Sequence, residues 1–171
     1  MRRAIAGLAG LAALSALTGC GSPPSAQRRP DDVARLAAEV LPVIDELDVS
    51  TYLDEGSMCR WLVYPRGDFR EGGCATSAER FSAFDDTARA DFDRVTAAMR
   101  ASGVDTHRFE ASISSAGAVG DARFWLEDSS IQWNWFYLYD PQDAITKNRH
   151  EGKPSYERIS DGWWLMTEVD D

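Results

Sequence analysis

The sequence predicts an α+β fold: a two-layer sandwich in which an antiparallel sheet of about four to six strands carries two main helices on one face. Three observations predict it. Apolar residues recur at three- and four-residue intervals over 33–47 and again over 81–99; the pattern changes to period two after Gly103; and Gly, Asp-Gly or Asp-Pro punctuates the alternating segments.

Asp31-Asp32 supplies an N-cap and negative charge for a first helix, whose Val33, Leu36, Ala37, Val40, Leu41, Ile44 and Leu47 fall on one face. Pro42 lies inside that pattern and lacks a backbone donor, which predicts a kink or break near Leu41. Met58 to Tyr64 is β-prone and stops at Pro65, a short strand. Arg66-Gly67-Asp68 resembles the integrin-recognition tripeptide, but three residues recur by chance, and here they read as a turn after Pro65. Glu71-Gly72-Gly73 reads as a flexible return to Cys74.

The second helix carries Phe81, Phe84, Ala88, Phe92, Val95 and Met99 on one face, with Asp85, Asp86, Asp91 and Asp93 on the other and Gly103 placed to close it. No Asp-x-Asp-x-Asp-Gly loop accompanies those aspartates, so they read as a solvated face rather than a calcium site. Thr106 to Ser112 and Ala122 to Glu127 then form a hairpin around Gly117 and Gly120. A turn at 128–130 leads to a third strand, Ile131 to Tyr139, which ends at Asp140-Pro141. Asp161-Gly162 marks a last hairpin between Tyr156–Ser160 and Trp163–Val169. By this order of elements alone, the domain is similar to cystatin-like, nuclear-transport-factor-like and lactamase-inhibitor-like folds, a resemblance that implies nothing specific about function.

The first thirty residues have a separate organisation. Met1-Arg2-Arg3, an apolar run from Ala4 to Leu17 and Leu17-Thr18-Gly19-Cys20 stand in the order of an export signal, and the last four resemble the lipobox of bacterial lipoproteins. The apolar run is shorter than the roughly 20 residues of a membrane span. The resemblance implies that 1–19 is a lipoprotein signal peptide and that Cys20 becomes lipidated, palmitate-type acyl chains holding the protein on the extracytoplasmic side of the cell membrane. Residues 20–30, with Gly21-Ser22-Pro23-Pro24, then form a flexible tether, and 31–171 the single α+β domain.

The chain has 171 residues, with 18 Lys and Arg against 28 Asp and Glu. Loss of Arg2 and Arg3 with the signal moves the net charge from −10 to −12. Such a body is repelled by nucleic acid and by anionic headgroups, which excludes nucleic acid as an expected partner. With Cys20 committed to lipid, Cys59 and Cys74 remain as an expected disulfide for an oxidising compartment, against the alternatives of two free thiols or a metal site. His107 and His150 are the only histidines, so no metal site and no cofactor are expected.

Function is expected at an aromatic sheet face. The odd positions of the third strand carry Trp133, Trp135 and Tyr137, and Trp125 and Trp163 on neighbouring strands extend the patch, a basis for engaging an envelope protein, a glycan or an apolar ligand. Gln132, Asn134, Phe136 and Leu138 form the opposite face, the candidate should the first prove to be core. The expected role is a non-enzymatic binding module. The alternative is a small envelope hydrolase, against which stand the absence of Gly-x-Ser-x-Gly and His-Glu-x-x-His and the lack of a free nucleophilic Cys; no catalytic residue is assigned. Gln142 to Pro154 holds Lys147, Arg149, His150 and Lys153, the one basic island.

Overall fold

The structure, a computed structural model, describes residues 29–74, 81–126, 133–146 and 154–169. Its first helical stretch consists of three segments end to end: α1 (Pro30–Arg35), a π turn (Leu36–Val40) and α2 (Leu41–Leu47). The π turn accommodates Pro42. A proline ring clashes with the carbonyl four residues back, and widening the turn lets the Leu41 N–H bond the Leu36 carbonyl, five residues away. The helix runs on instead of breaking, and Val33, Leu36, Val40 and Ile44 all stay buried. Neither Asp31 nor Asp32 is the N-cap: Arg29 holds that position without a side-chain bond, and both aspartates lie in the first turn.

Among the described residues, eight strands and one more helix follow: β1 (Thr51–Asp54), β2 (Cys59–Tyr64), β3 (Gly67–Gly72), α3 (Asp86–Ser102), β4 (Arg108–Ile113), β5 (Val119–Trp125), β6 (Trp133–Tyr139), β7 (Ser155–Ser160) and β8 (Trp163–Val169). The strands form one sheet in the order β3-β2-β1-β4-β5-β6-β8-β7, with every neighbouring pair antiparallel. The sandwich of four to six strands expected above is therefore corrected: the sheet has eight strands, and strand outweighs helix.

The two additional strands are β1 and β3. In β1 the adjacent Tyr52 and Leu53 are both buried, so polar and apolar positions do not alternate there. β3 begins and ends in Gly and carries three charges, a turn-like composition, yet all six residues pair with β2. Its outer edge is closed as well. The Arg70 N–H donates to the Ser82 carbonyl at 2.9 Å, and the Ser82 N–H donates to the Asp68 carbonyl at 2.8 Å. Arg66-Gly67-Asp68 thus enters a strand, and Asp68 is spent on the Trp61 indole N–H (2.8 Å) and the Arg70 guanidinium (2.7 Å). Cys59 and Cys74 form the expected disulfide, with Cα atoms 4.9 Å apart, tying the first residue of β2 to the chain just beyond β3.

In α3 the Asp85 carboxylate accepts the Ala88 N–H at 2.7 Å, and Gly103 closes the helix in the left-handed region (φ 62°). The helix is shorter than its spacing predicts because Phe81 to Phe84 lead into it and are not part of it. Both helical stretches share one core with the inner face of the sheet. Through that core runs a chain of rings: Phe92 to Tyr52 (5.0 Å), Tyr52 to Phe109 (5.5 Å), Phe109 to Phe124 (5.6 Å) and Phe124 to Trp163 (5.9 Å). Burying each such side chain contributes roughly 1.5–3 kcal/mol.

The outer face carries a second, smaller core of Phe136, Leu138, Trp164 and Met166, against which Trp125, Ile145 and Tyr156 pack. The loop after β6 is shaped for it. The buried Asp140 carboxylate accepts the N–H groups of Ala144 (2.8 Å), Ile145 (3.0 Å) and Thr146 (3.0 Å), folding the loop so that Ile145 meets that core.

Candidate functional site

The side-chain alternation of β6 sends Trp133, Trp135, Tyr137 and Tyr139 inward and Asn134, Phe136 and Leu138 outward. Trp135 and Tyr137 are each 2% exposed and Trp163 is 4% exposed, all within the helix-covered core, while Trp133 packs half-buried against it. Trp125 stands on the opposite face, edge-on to Phe136 at 4.8 Å. The five aromatic residues expected to share a binding surface are therefore split, four inward and one outward. The inner face is closed because two helical stretches lie over it, something the period-two pattern of one strand does not reveal. Cys20, Gln132 and the basic residues Lys147, Arg149, His150 and Lys153 lie outside the described residues.

What the outer face presents follows from register. Arg70, Trp61, Leu53, Arg108, Trp125, Phe136, Met166 and Tyr156, one from each strand, stand side by side across the sheet. Two of those cross-strand pairs are guanidinium–indole stacks, Arg70 over Trp61 at 4.3 Å and Arg108 over Trp125 at 4.0 Å; in the adjacent row Arg158 lies over Trp164 at 5.4 Å. Each contributes roughly 0.5–2 kcal/mol according to its exposure. These stacks give the outer face its own cover where, among the described residues, no helix packs, and they occupy ring faces that a ligand would otherwise use.

Between the stacks, the adjacent row runs Asp68, Val63, Thr51, Glu110, Arg123, Leu138. Here the sheet opens into a largely polar cleft of about 410 Å3 lined by Ser50, Thr51, Glu110, Ala111, Ser112, Asp121 and Arg123. Gly120 is the extra residue of a bulge in the β4–β5 pairing, which puts Ser112 opposite Asp121 and Ile113 opposite Val119. Glu110 faces Arg123 in register, yet its carboxylate is engaged by Arg108, whose Nη2 donates to it at 2.5 Å. Among the described residues, the side chains of Arg123 and Asp121 make no ion pair and no hydrogen bond. A half-buried guanidinium and a nearby carboxylate, both uncommitted, are the least satisfied polar groups of the cleft.

A second pocket of about 290 Å3 lies between β1 and the end of α3, lined by Tyr52, Asp54, Thr96, Arg100, Asp105 and His107 among others. Thr96 donates to the Phe92 carbonyl at 3.0 Å, so the Tyr52 hydroxyl is the donor in its 2.8 Å bond to Thr96. Burial, with the charge of Asp54 adding to it, pushes the Tyr52 phenol up to about 12.

Arg123, Asp121, Glu110 and Arg108 were readable as the charged alternate positions of β4 and β5. The apolar half of that alternation marks the core, and the charged half marks the outer face where the cleft lies. No protein-family model, no curated protein and no solved structure matches this chain.

Proposed function

We propose that the chain is a lipid-anchored lipoprotein on the extracytoplasmic side of the cell membrane, and that its domain is a non-enzymatic binding module acting through the outer face of the sheet. The anchor rests on the ordered export signal and on Cys20. The disulfide agrees with an oxidising compartment. The binding role rests on one observation: the outer face holds an open polar cleft whose Arg123 and Asp121 have no partner among the described residues.

The anchor is tested with Cys20→Ala, which is expected to leave unprocessed precursor and to abolish incorporation of an alkynyl fatty acid. Retained labelling discards it. The binding face is tested by affinity capture from the native envelope with wild type, Arg123→Gln and, as control, Arg94→Gln on exposed α3. Loss of captured material with Arg123→Gln alone supports the cleft, and equal capture by all three removes it.

The hydrolase alternative has one observation of its own, that His107 shares a pocket with Asp54 and Asp105. The three hydroxyls there, of Tyr52, Thr96 and Thr106, have already donated their protons, and the Tyr52 phenol is pushed away from the ionised, nucleophilic form. Hydrolysis of p-nitrophenyl acetate that disappears in His107→Ala would revive it.

A further inference from the structure

The outer-face cleft is more specific than a general binding surface. Its charges come in two signs at fixed places: the Arg123 guanidinium on β5 with Asp121 two residues away on the same strand face, and Glu110 across on β4. A polyanion is disfavoured because Arg123 is the cleft's one cation against two carboxylates. An apolar ligand is disfavoured because the lining, Ala111 apart, is Ser, Thr, Asp, Glu and Arg. A neutral glycan lacks its usual platform, since Arg108 and Arg70 already cover ring faces of Trp125 and Trp61.

From this complementarity we infer that the cleft binds a short zwitterionic peptide segment, one with a free carboxylate and a free ammonium group. Arg123 takes the carboxylate, because a guanidinium presents paired N–H donors matched to two carboxylate oxygens, and it has no competing acid within ion-pair distance. Asp121 takes the ammonium, for which its uncommitted carboxylate supplies acceptors. The Thr51 and Ser112 hydroxyls face the backbone between those ends. Arg108 plays no part in anchoring the ligand but holds Glu110 at 2.5 Å, which keeps that carboxylate from quenching Arg123. A cleft of about 410 Å3 falls within the size range of small-ligand sites.

The inference rests on the outer-face reading above, and the experiment separates the two. Amide chemical shifts of the full chain are followed on titration with trialanine, its C-terminal amide, its N-acetyl form and tetra-N-acetylchitotetraose. Trialanine is expected to shift Thr51, Glu110, Ser112 and Arg123, with roughly tenfold or greater weakening for the amide and for the N-acetyl form. Arg123→Gln is expected to remove binding of trialanine, and Asp121→Asn to erase the difference between trialanine and its N-acetyl form, both with unchanged melting temperature. Equal binding of acid and amide, or full binding by Arg123→Gln, overturns the inference. Shifts of the same residues by the chitotetraose alone overturn it while leaving the outer-face reading intact. Peptide shifts confined to residues around His107 overturn both, and the absence of any shift with trialanine overturns the inference outright.

Discussion

Asp32 is a carboxylate gripped from three directions. Tyr137 donates its hydroxyl at 3.2 Å, Arg35 approaches at 2.6 Å and Arg29 at 3.8 Å. It pins the start of α1 to β6, directly after the segment read as a tether. Burial, followed by the Asp32 charge, holds the Tyr137 phenol well above its ordinary value, and burial pushes Tyr52 up to about 12. A phenol whose pKa is higher in the folded than in the unfolded chain contributes stability that is complete below the unfolded value of 10.0 and is lost as pH rises toward the folded one. Urea unfolding at a series of pH values is therefore expected to show constant tyrosine-linked stability up to about pH 10 and a fall of up to about 1.4 kcal/mol per pH unit per tyrosine above it. Tyr52→Phe flattens that slope if Tyr52 contributes, and an unchanged slope refutes its share. The two tryptophan environments separate in the same measurement at neutral pH. Trp135→Ser, in the helix-covered core, is expected to cost about 3–5 kcal/mol, whereas Trp125→Ser, half-exposed beside Arg108, costs about 1–2 kcal/mol. Comparable losses for the two would contradict the division of faces.

At the scale of elements, two devices let this chain keep its helices where the core needs them. The π turn absorbs Pro42, so that residues on either side of it stay on the buried face. Asp85 caps α3 with a single short bond while its carboxylate also meets Arg66 at 3.2 Å. Removing the cap in Asp85→Ala is expected to cost about 1 kcal/mol, read as a fall of roughly 2–4 °C in melting temperature for a domain of this size; because the Arg66 pair is exposed, most of the loss belongs to the cap. Arg66→Ala, which spares the cap, should then melt near wild type. Among the strands, β3 is held by β2 on one side and by Ser82 on the other, so its charged, glycine-bounded sequence forms a strand through its partners rather than its propensity.

At the scale of the molecule, an eight-stranded sheet with a large core on one face and a small one on the other leaves the middle of the outer face open among the described residues, and the polar cleft lies there. The Cys59–Cys74 bond closes the β2–β3 end across a separation of 15 residues, for which chain entropy predicts roughly 3 kcal/mol. Reduction under native conditions is expected to lower stability by about that amount, and the Cys59→Ser/Cys74→Ser double variant should reproduce the loss and become insensitive to reductant. A variant that melts with wild type would show the bond to be dispensable. Among the described residues no helix is long and apolar enough to cross a membrane. The anchor proposed at Cys20 rests on the export signal, which lies outside those residues.

Local patterns in the sequence determined what local physics controls. The left-handed closure of α3 at Gly103, the Asp161-Gly162 hairpin with its Gly162 at φ 70°, the buried stripe of the first helix and the pairing of Cys59 with Cys74 each depend on a few neighbouring residues or, for the disulfide, on there being two cysteines after residue 31. Tertiary structure decided the remainder. β3 became a strand because β2 and Ser82 satisfy its backbone, although its composition reads as a turn. Trp135 and Tyr137 became core because helices distant in sequence cover their face, and both faces of β6 carry large apolar side chains, so alternation on that strand is equally consistent with either orientation. The cleft emerged only from cross-strand register, which sets Glu110 opposite Arg123 and Arg108 opposite Trp125; Glu110 nonetheless pairs with Arg108 on its own strand, and Arg123 and Asp121 are left uncommitted. Glu110 has a cation beside it on its own strand and another opposite on β5, and which of the two it takes depends on side-chain geometry that no one-dimensional pattern contains.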